Sequence, residues 1–259
     1  MHIEQTTYER NEAMIENYVL RNMITVDSFW EKHILESNHY VVIDKGSIIG
    51  YFSIFKKHTI TSFYLDDEYI QHGKSIFEKI KHYEQVTNAL VSTGDEFLIS
   101  HCVDNYQRLE KQAYFSIYRK KAPEGFQRRN LELVRLRTNE DMELLKLAGD
   151  FFAEDPIEDI LEEETYYRIY KVLENDQLIG FGIVETGRVI KSIASIGMYV
   201  MEEKRQQGYA KNILNHLKEL VESEGLKCRS GCWYYNHNSL KSMESAGAFS
   251  KTRLLRFYF

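Results

Sequence analysis

The chain reads twice. Residues 47–54, "SIIGYFSI", and residues 177–184, "QLIGFGIV", carry similar apolar strings around a glycine, and each follows a polar turn, "DKG" or "END". Each is therefore the second strand of a hairpin whose first strand is "YVVID" or "YRIYKVLE". Further along, Gly73 precedes "KSIFEKIKHY" as Gly208 precedes "YAKNILNHLK". "EFLISHCVDN" then aligns with "KCRSGCWYYN" as a late strand, and "YQRLEKQAYF" with "LKSMESAGAF" as a short helical segment. Each copy closes on a strand that opens Phe-Ser, at Phe115 and at Phe249. The shared order of elements, more than any one pair of strings, carries the repeat. It predicts an α+β chain of two tandem domains, each a mostly antiparallel mixed sheet flanked by helices. Charge, Pro123 and Gly125 cluster in "RKKAPEGFQRRN" at 119–130, which sets the domains at 1–122 and 131–259.

Hydrophobic residues make up 43% of the 259, enough for a buried core in each copy. A net charge of −6 argues against a nucleic-acid binder, which needs a basic face. Three cysteines, Cys102, Cys228 and Cys232, are too few for a disulfide framework and fit a reducing, cytoplasmic setting. The polar start "MHIEQTTYERNE" does not read as a signal peptide, and no apolar run is long enough for a bilayer, so no membrane partner is expected.

The second copy has the clearer string of elements. "NLELVRLR" alternates as a strand, and Thr138 with Asp141 three residues on forms a capping box for the next helix. Asp155-Pro156 starts a short helix with Asp at the cap and Pro in the first turn. A strand ending at Val200 leads to "KRQQGYA", and then to a helix with Ile213, Leu214, Leu217, Leu220 and Val221 on one side. The loop offers successive backbone N–H groups next to a helix N-terminus, where four more are unpaired and the dipole is positive. That is a cradle for a phosphate or pyrophosphate. Gly208 removes the Cβ that would block the approach, Ala210 keeps the first turn small, and Arg205 adds a formal charge. For a bare glycine, a tight strand-to-helix turn is the simpler reading.

Arg205-Gln206-Gln207-Gly208-Tyr209-Ala210 resembles the Arg/Gln-x-x-Gly-x-Gly/Ala motif of GNAT-type N-acetyltransferases. "NHNSLKSMESAGAF" resembles the later helix of that family, with Asn236, Ser239 and Gly247 on its spacing, which implies Asn236 and Ser239 as cofactor-binding residues. The resemblance covers residues 131–259. It implies acetyl-CoA as donor, its pyrophosphate on the backbone from Gln206 to Ala210, and its pantetheine arm along a splayed strand ending at Met198, Tyr199 and Val200. It also implies direct attack of a primary amine, from a small molecule or a peptide, on the thioester. Many members carry a tyrosine on the last helix to protonate the departing thiolate; the matching residue here is Met243. Tyr234 and Tyr235, at the end of the preceding strand, are the substitutes, although adjacent strand residues face opposite ways. Glu185 is the candidate base, with a hairpin-end charge as its plainer reading.

The first copy matches the motif less well. Its basic or glutamine position is Ile70 and its small position is Ser75, so "IQHGKS" reads as a degenerate copy that keeps the fold without the cofactor, Lys74 notwithstanding. Residues 154–164, "EDPIEDILEEE", hold seven carboxylates in eleven positions and no cation. In the resembling family this segment borders the acceptor, so the run predicts a cationic amine, against the plainer reading of a solvated helix face. His216 reads as packing and His237 as a weak candidate base. Cys228 and Cys232 share a strand face without the partners of a zinc site, so no metal is expected. The rival to the enzyme is a module of the same fold that binds acyl-CoA or a protein without catalysis.

Overall fold

The computed structural model describes residues 1–119, 123–153 and 165–259, and the chain in it forms two compact units. The first comprises Met1–Phe115 with Trp233–Tyr235 and Lys251–Phe259; the second comprises Ser116–Cys232 and Asn236–Ser250.

In the first unit β1 (His2–Thr6), β2 (Ser37–Asp44), β3 (Ser47–Phe55) and β4 (Thr59–Leu65) run antiparallel in chain order. β5 (Asn88–Ser92) joins β4 in parallel, and residues 254–258 from the far end of the chain pair antiparallel with β5. Tyr51 pairs with Tyr64 and Phe52 with Phe63, so each strand sends alternate rings to opposite faces. The phenylalanine face buries α3 (Gly73–Lys81) and α4 (Glu96–Val103) through Ile76, Phe77, Ile80, Leu98 and Cys102. On the tyrosine face Tyr18 of α1 (Tyr8–Arg21) stacks on Tyr64, ring centroids 4.2 Å apart. α2 (Ser28–Leu35) packs on β3 and β4.

Two late elements of this copy differ from the sequence reading. "EFLISHCVDN" forms α4 rather than a strand, because the Asp95 carboxylate accepts the Leu98 N–H at 3.1 Å and caps a helix there. The late strand is "NALVS", all five residues buried. "YQRLEKQAYF" is then not helical but runs into β6 (Arg108–Tyr118). With this correction the copies agree element by element: strand, short helix and strand follow the long helix in both.

In the second unit β7 (Glu132–Arg135), β8 (Tyr167–Glu174), β9 (Gln177–Thr186) and β10 (Ile193–Val200) are antiparallel, and β11 (Lys227–Trp233) joins β10 in parallel. One face of the sheet packs on α6 (Tyr209–Ser223) and α7 (His237–Ser245) through Ile213, Leu214, Leu217, Val221 and Met243. The other packs on α5 (Asn139–Leu145) and the turn after it through Leu145, Ala148 and Phe152. The capping box at Thr138 and Asp141 is present in both directions, and β12 (Ala248–Tyr258) closes the chain. The helix start read at Asp155-Pro156, and the whole acidic run 154–164, lie outside the described residues.

Candidate functional site

The sheet of the second unit opens between β10 and β11. They pair at three positions, from Ile193 with Lys227 to Ser195 with Arg229. β10 stays paired with β9 as far as Val200, so its other edge has no β11 ladder from Ile196 onward. Such an edge offers N–H and C=O groups to whatever lies against it.

Beyond Val200 the chain makes one 3-10 turn at Glu202–Lys204 and then leaves helical geometry. Arg205 is extended, while Gln206 (φ 62°) and Gly208 (φ 80°) are left-handed before α6 begins at Tyr209. Left-handed residues among ordinary ones turn consecutive N–H groups into one concavity, and the first N–H groups of α6 have no acceptor within the helix. Gly208 suits this through its φ, which strains any residue with a Cβ; only the flexible Lys211 side chain lies near the position a Cβ would take, 3.3 Å away at Cε.

The open edge, the loop and α7 enclose a cleft of about 680 Å³. Ten of the residues read from the sequence as cofactor-binding line it: Met198, Tyr199, Val200, Arg205, Gln206, Gly208, Tyr209, Ala210, Asn236 and Ser239. Gln207 does not. Its side chain turns back to the Glu203 carbonyl (3.0 Å), and its own carbonyl accepts from Arg129 (3.2 Å). Lining residues that the sequence reading passed over include Phe151, Lys204, Lys211, Lys241, Ser242 and Ser245. Among the described residues, Lys204, Arg205, Lys211 and Lys241 put four cations on the wall and no carboxylate lines it, in a chain whose net charge is −6. That lining favours an anionic ligand.

α7 starts at a side-chain cap. The Asn236 side chain accepts the Ser239 N–H at 3.1 Å. Ser239, Ser242 and Ser245 then recur every three residues toward the cleft, while Met243 is 3% exposed in the core. The position where the resembling family carries its acid therefore faces away from the cleft.

The proposed catalytic residues do not line the cleft either. Tyr234 stacks on Tyr114 with centroids 4.7 Å apart, and the Lys111 ammonium lies 4.9 Å from its ring. A hydrogen bond with Tyr114, then Lys111, draws its hydroxyl below the ordinary tyrosine pKa. Tyr235 is exposed and packs edge-on against Trp233 at 5.0 Å. Glu185 stands near the end of β9, in register with Tyr167 on one side and Ser195 on the other. His216 Nε2 lies 2.9 Å from the Arg129 carbonyl, a structural tie. Burial pushes the Cys228 thiol up to about 12, which leaves it inert at neutral pH. Among the described residues no three His, Cys, Asp or Glu side chains group closely enough to hold a metal ion, and no helix is long and apolar enough to cross a membrane.

Residues 7–119 match the acetyltransferase (GNAT) domain, and residues 130–248 match the acetyltransferase (GNAT) family. The chain belongs to the GNAT acetyltransferases. It is a tandem GNAT protein, with one such domain in each half. No curated protein matches it in sequence. Among solved structures it is similar to a GNAT-family acetyltransferase from Colwellia psychrerythraea, with a TM-score of 0.85 and 17% identity over 100% of both chains. A GCN5-related N-acetyltransferase from Sphaerobacter thermophilus gives 0.58 at 10% identity, over 99% of this chain and 95% of that one. A tandem GNAT protein from the clavulanic acid biosynthesis pathway gives 0.57 at 11% identity, over 99% and 97%. At these identities the likeness is one of fold.

Proposed function

We propose that the second domain, 131–259, is an N-acetyltransferase that takes acetyl-CoA in this cleft and transfers the acetyl group to a primary amine of a small molecule or peptide. One observation carries the reading: the left-handed loop, the edge of β10 beyond its ladder with β11 and four cations face the same cleft. When bound, acetyl-CoA supplies an activated thioester. The N–H groups from Gln206 to Ala210, with Arg205, would hold its pyrophosphate, and the edge at Met198, Tyr199 and Val200 its pantetheine arm. Asn236 and Ser239 would add hydrogen bonds from α7. Fixing donor and acceptor in this way lowers the barrier by orientation, and removing the proton of the amine completes the demand on the protein.

Glu185 is the proposed base. Tyr234 or Tyr235, or solvent, is the proposed donor to the thiolate, which leaves readily because a thiol has a pKa of about 8.5. A cationic acceptor is proposed from the carboxylates of 154–164, and a cytoplasmic setting from the three free thiols. The test is acetyl-CoA turnover against amines, polyamines, amino acids and peptides, read as free thiol. Acceptor-dependent release is expected, with a loss of roughly 10²-fold in Tyr234→Phe or Tyr235→Phe if that hydroxyl is the acid. CoA binding with no acceptor-dependent release across the panel would make the protein a binding module instead.

A further inference from the structure

We propose that Arg129 is a positioning residue that sets the conformation of the 205–210 loop from outside the cleft; the proposal rests on the reading of that loop as the CoA pyrophosphate site. Arg129 is not among the residues lining the cleft. Its backbone is held at both ends against α6: its N–H donates to Asn212 Oδ1 at 2.8 Å, and its carbonyl lies 2.9 Å from His216 Nε2. Its guanidinium carbon lies 4.2 Å from the centre of the Tyr209 ring. One guanidinium nitrogen donates to both Glu174 oxygens (3.2 and 3.3 Å) and to the Tyr209 hydroxyl (3.3 Å); the other donates to the Gln207 carbonyl (3.2 Å). Tyr209 in turn donates to Glu174 at 2.6 Å.

One side chain thus holds the residue on each side of Gly208. The Gln207 carbonyl and the Gly208 N–H belong to the same trans peptide and point in opposite directions. Fixing the carbonyl on Arg129 therefore fixes where the Gly208 N–H is aimed. Asn212 does the same for the next peptide, donating to the Gly208 carbonyl at 3.1 Å. Glycine has the most backbone freedom to lose when a ligand orders it, so a loop already held binds more tightly. The task suits arginine. A planar fork can grip a carbonyl and a carboxylate while lying on a ring, and an ammonium cannot do all three.

The experiment compares the full-length parent with Arg129→Gln and Arg129→Lys by calorimetry with CoA and by backbone amide order parameters from nitrogen-15 relaxation without ligand. Arg129→Gln is expected to weaken CoA by about tenfold and to lower the order parameters of 206–209 from a rigid value of about 0.85 to below about 0.6, while the α6 core from Ile213 to Val221 stays rigid. Arg129→Lys should recover less than half of each effect. Unchanged loop order in Arg129→Gln overturns the proposal, and weaker CoA binding with unchanged order would mean direct ligand contact instead. Loss of order throughout the unit also overturns it, as a general structural role. If the parent binds no CoA, the reading of the cleft fails, while the relaxation data still decide whether Arg129 holds the loop.

Discussion

The two copies differ most where a strand hands over to the long helix. Both sheets part early: β4 and β5 share two pairs, β10 and β11 three. In the second copy the backbone then turns left-handed at Gln206 and Gly208. In the first, a 3-10 turn at Asp67–His72 runs straight into α3, and no residue from Thr59 to Tyr83 has a positive φ. Gly73, the counterpart of Gly208, is helical at φ −51°. Its missing Cβ serves packing, since one added there would fall 2.5 Å from His101 Nε2. Phe63, Phe77, Phe97 and His101 pack ring against ring at 4.6 to 5.7 Å, so α4 lies directly on β4. The matching helix of the second copy, α7, lines the cleft with three serines and Lys241. The parted strands belong to the fold; the cradle belongs to two left-handed residues and the polar helix opposite them.

The sharpest way to break this comparison is to count sites. Calorimetry with CoA should give one site per chain. Gly208→Glu should weaken it by about 10²-fold or more, because it puts a strained residue and a negative charge where the pyrophosphate is proposed to lie, a loss of about 2.7 kcal/mol. Lys74→Glu, on an exposed side chain next to Gly73, should leave the affinity within about twofold. Two equivalent sites would show that the first copy kept its donor site.

Gly208, the helix after it and the capping box at Thr138 were legible because each is local: a cap, a glycine and a 3.6-residue period lie within one window. α4 was misread for the opposite reason. Eight apolar-rich residues fit a strand or a buried helix equally well, although Asp95 ahead of "EFL" was a cap signal that favoured the helix. Met243 could have been placed in the core from its spacing with Leu240 and Ala246. The clamp was not legible. Arg129 meets Glu174 across 45 residues and Tyr209 across 80, and no local pattern links them.

The two caps offer a second contrast. Asp95 caps α4 and Asn236 caps α7, but Asp95 is 7% exposed and accepts from Tyr18 (2.7 Å), whereas Asn236 is exposed on the cleft. Burial pushes the Asp95 carboxyl from its ordinary 3.8 up to about 6, against the pull of the Tyr18 and Leu98 hydrogen bonds. The folded state therefore binds this proton more tightly than the unfolded state. Stability from this group is highest below pH 4, falls as pH rises through 6, and is flat above, a change of up to about 3 kcal/mol. Asp95→Asn keeps a capping side chain and removes the titration. Its stability relative to the parent should therefore rise by that amount between pH 4 and pH 7, measured by urea unfolding. His39, pushed down to about 4 by burial, loses stability as pH falls below 6.5, but it is common to both proteins and cancels in the difference. A pH-independent difference would mean that Asp95 titrates like a surface carboxylate. Asn236→Asp should show little such pH dependence and should instead weaken CoA binding.

The smallest effects come from giving each glycine one methyl group, and they should separate cleanly. At Gly73 the backbone accepts alanine, which is the better helix former, but the methyl meets His101 at 2.5 Å and Phe97 at 3.0 Å. These rings lie within the aromatic packing and have little room to move, so Gly73→Ala should destabilise the protein by about 1–2 kcal/mol without changing CoA affinity. At Gly208 the space accepts a methyl, since only the flexible Lys211 side chain is near, but φ 80° does not. Gly208→Ala should cost about 1 kcal/mol of strain, which the loop can shed by relaxing toward a right-handed turn. Relaxing turns its N–H groups away from the cleft, so the loss should appear in CoA affinity, about fivefold, more than in the urea midpoint. If both substitutions lower stability alike and neither changes affinity, the two glycines do the same job, and the difference between the copies lies in the cations and α7 alone.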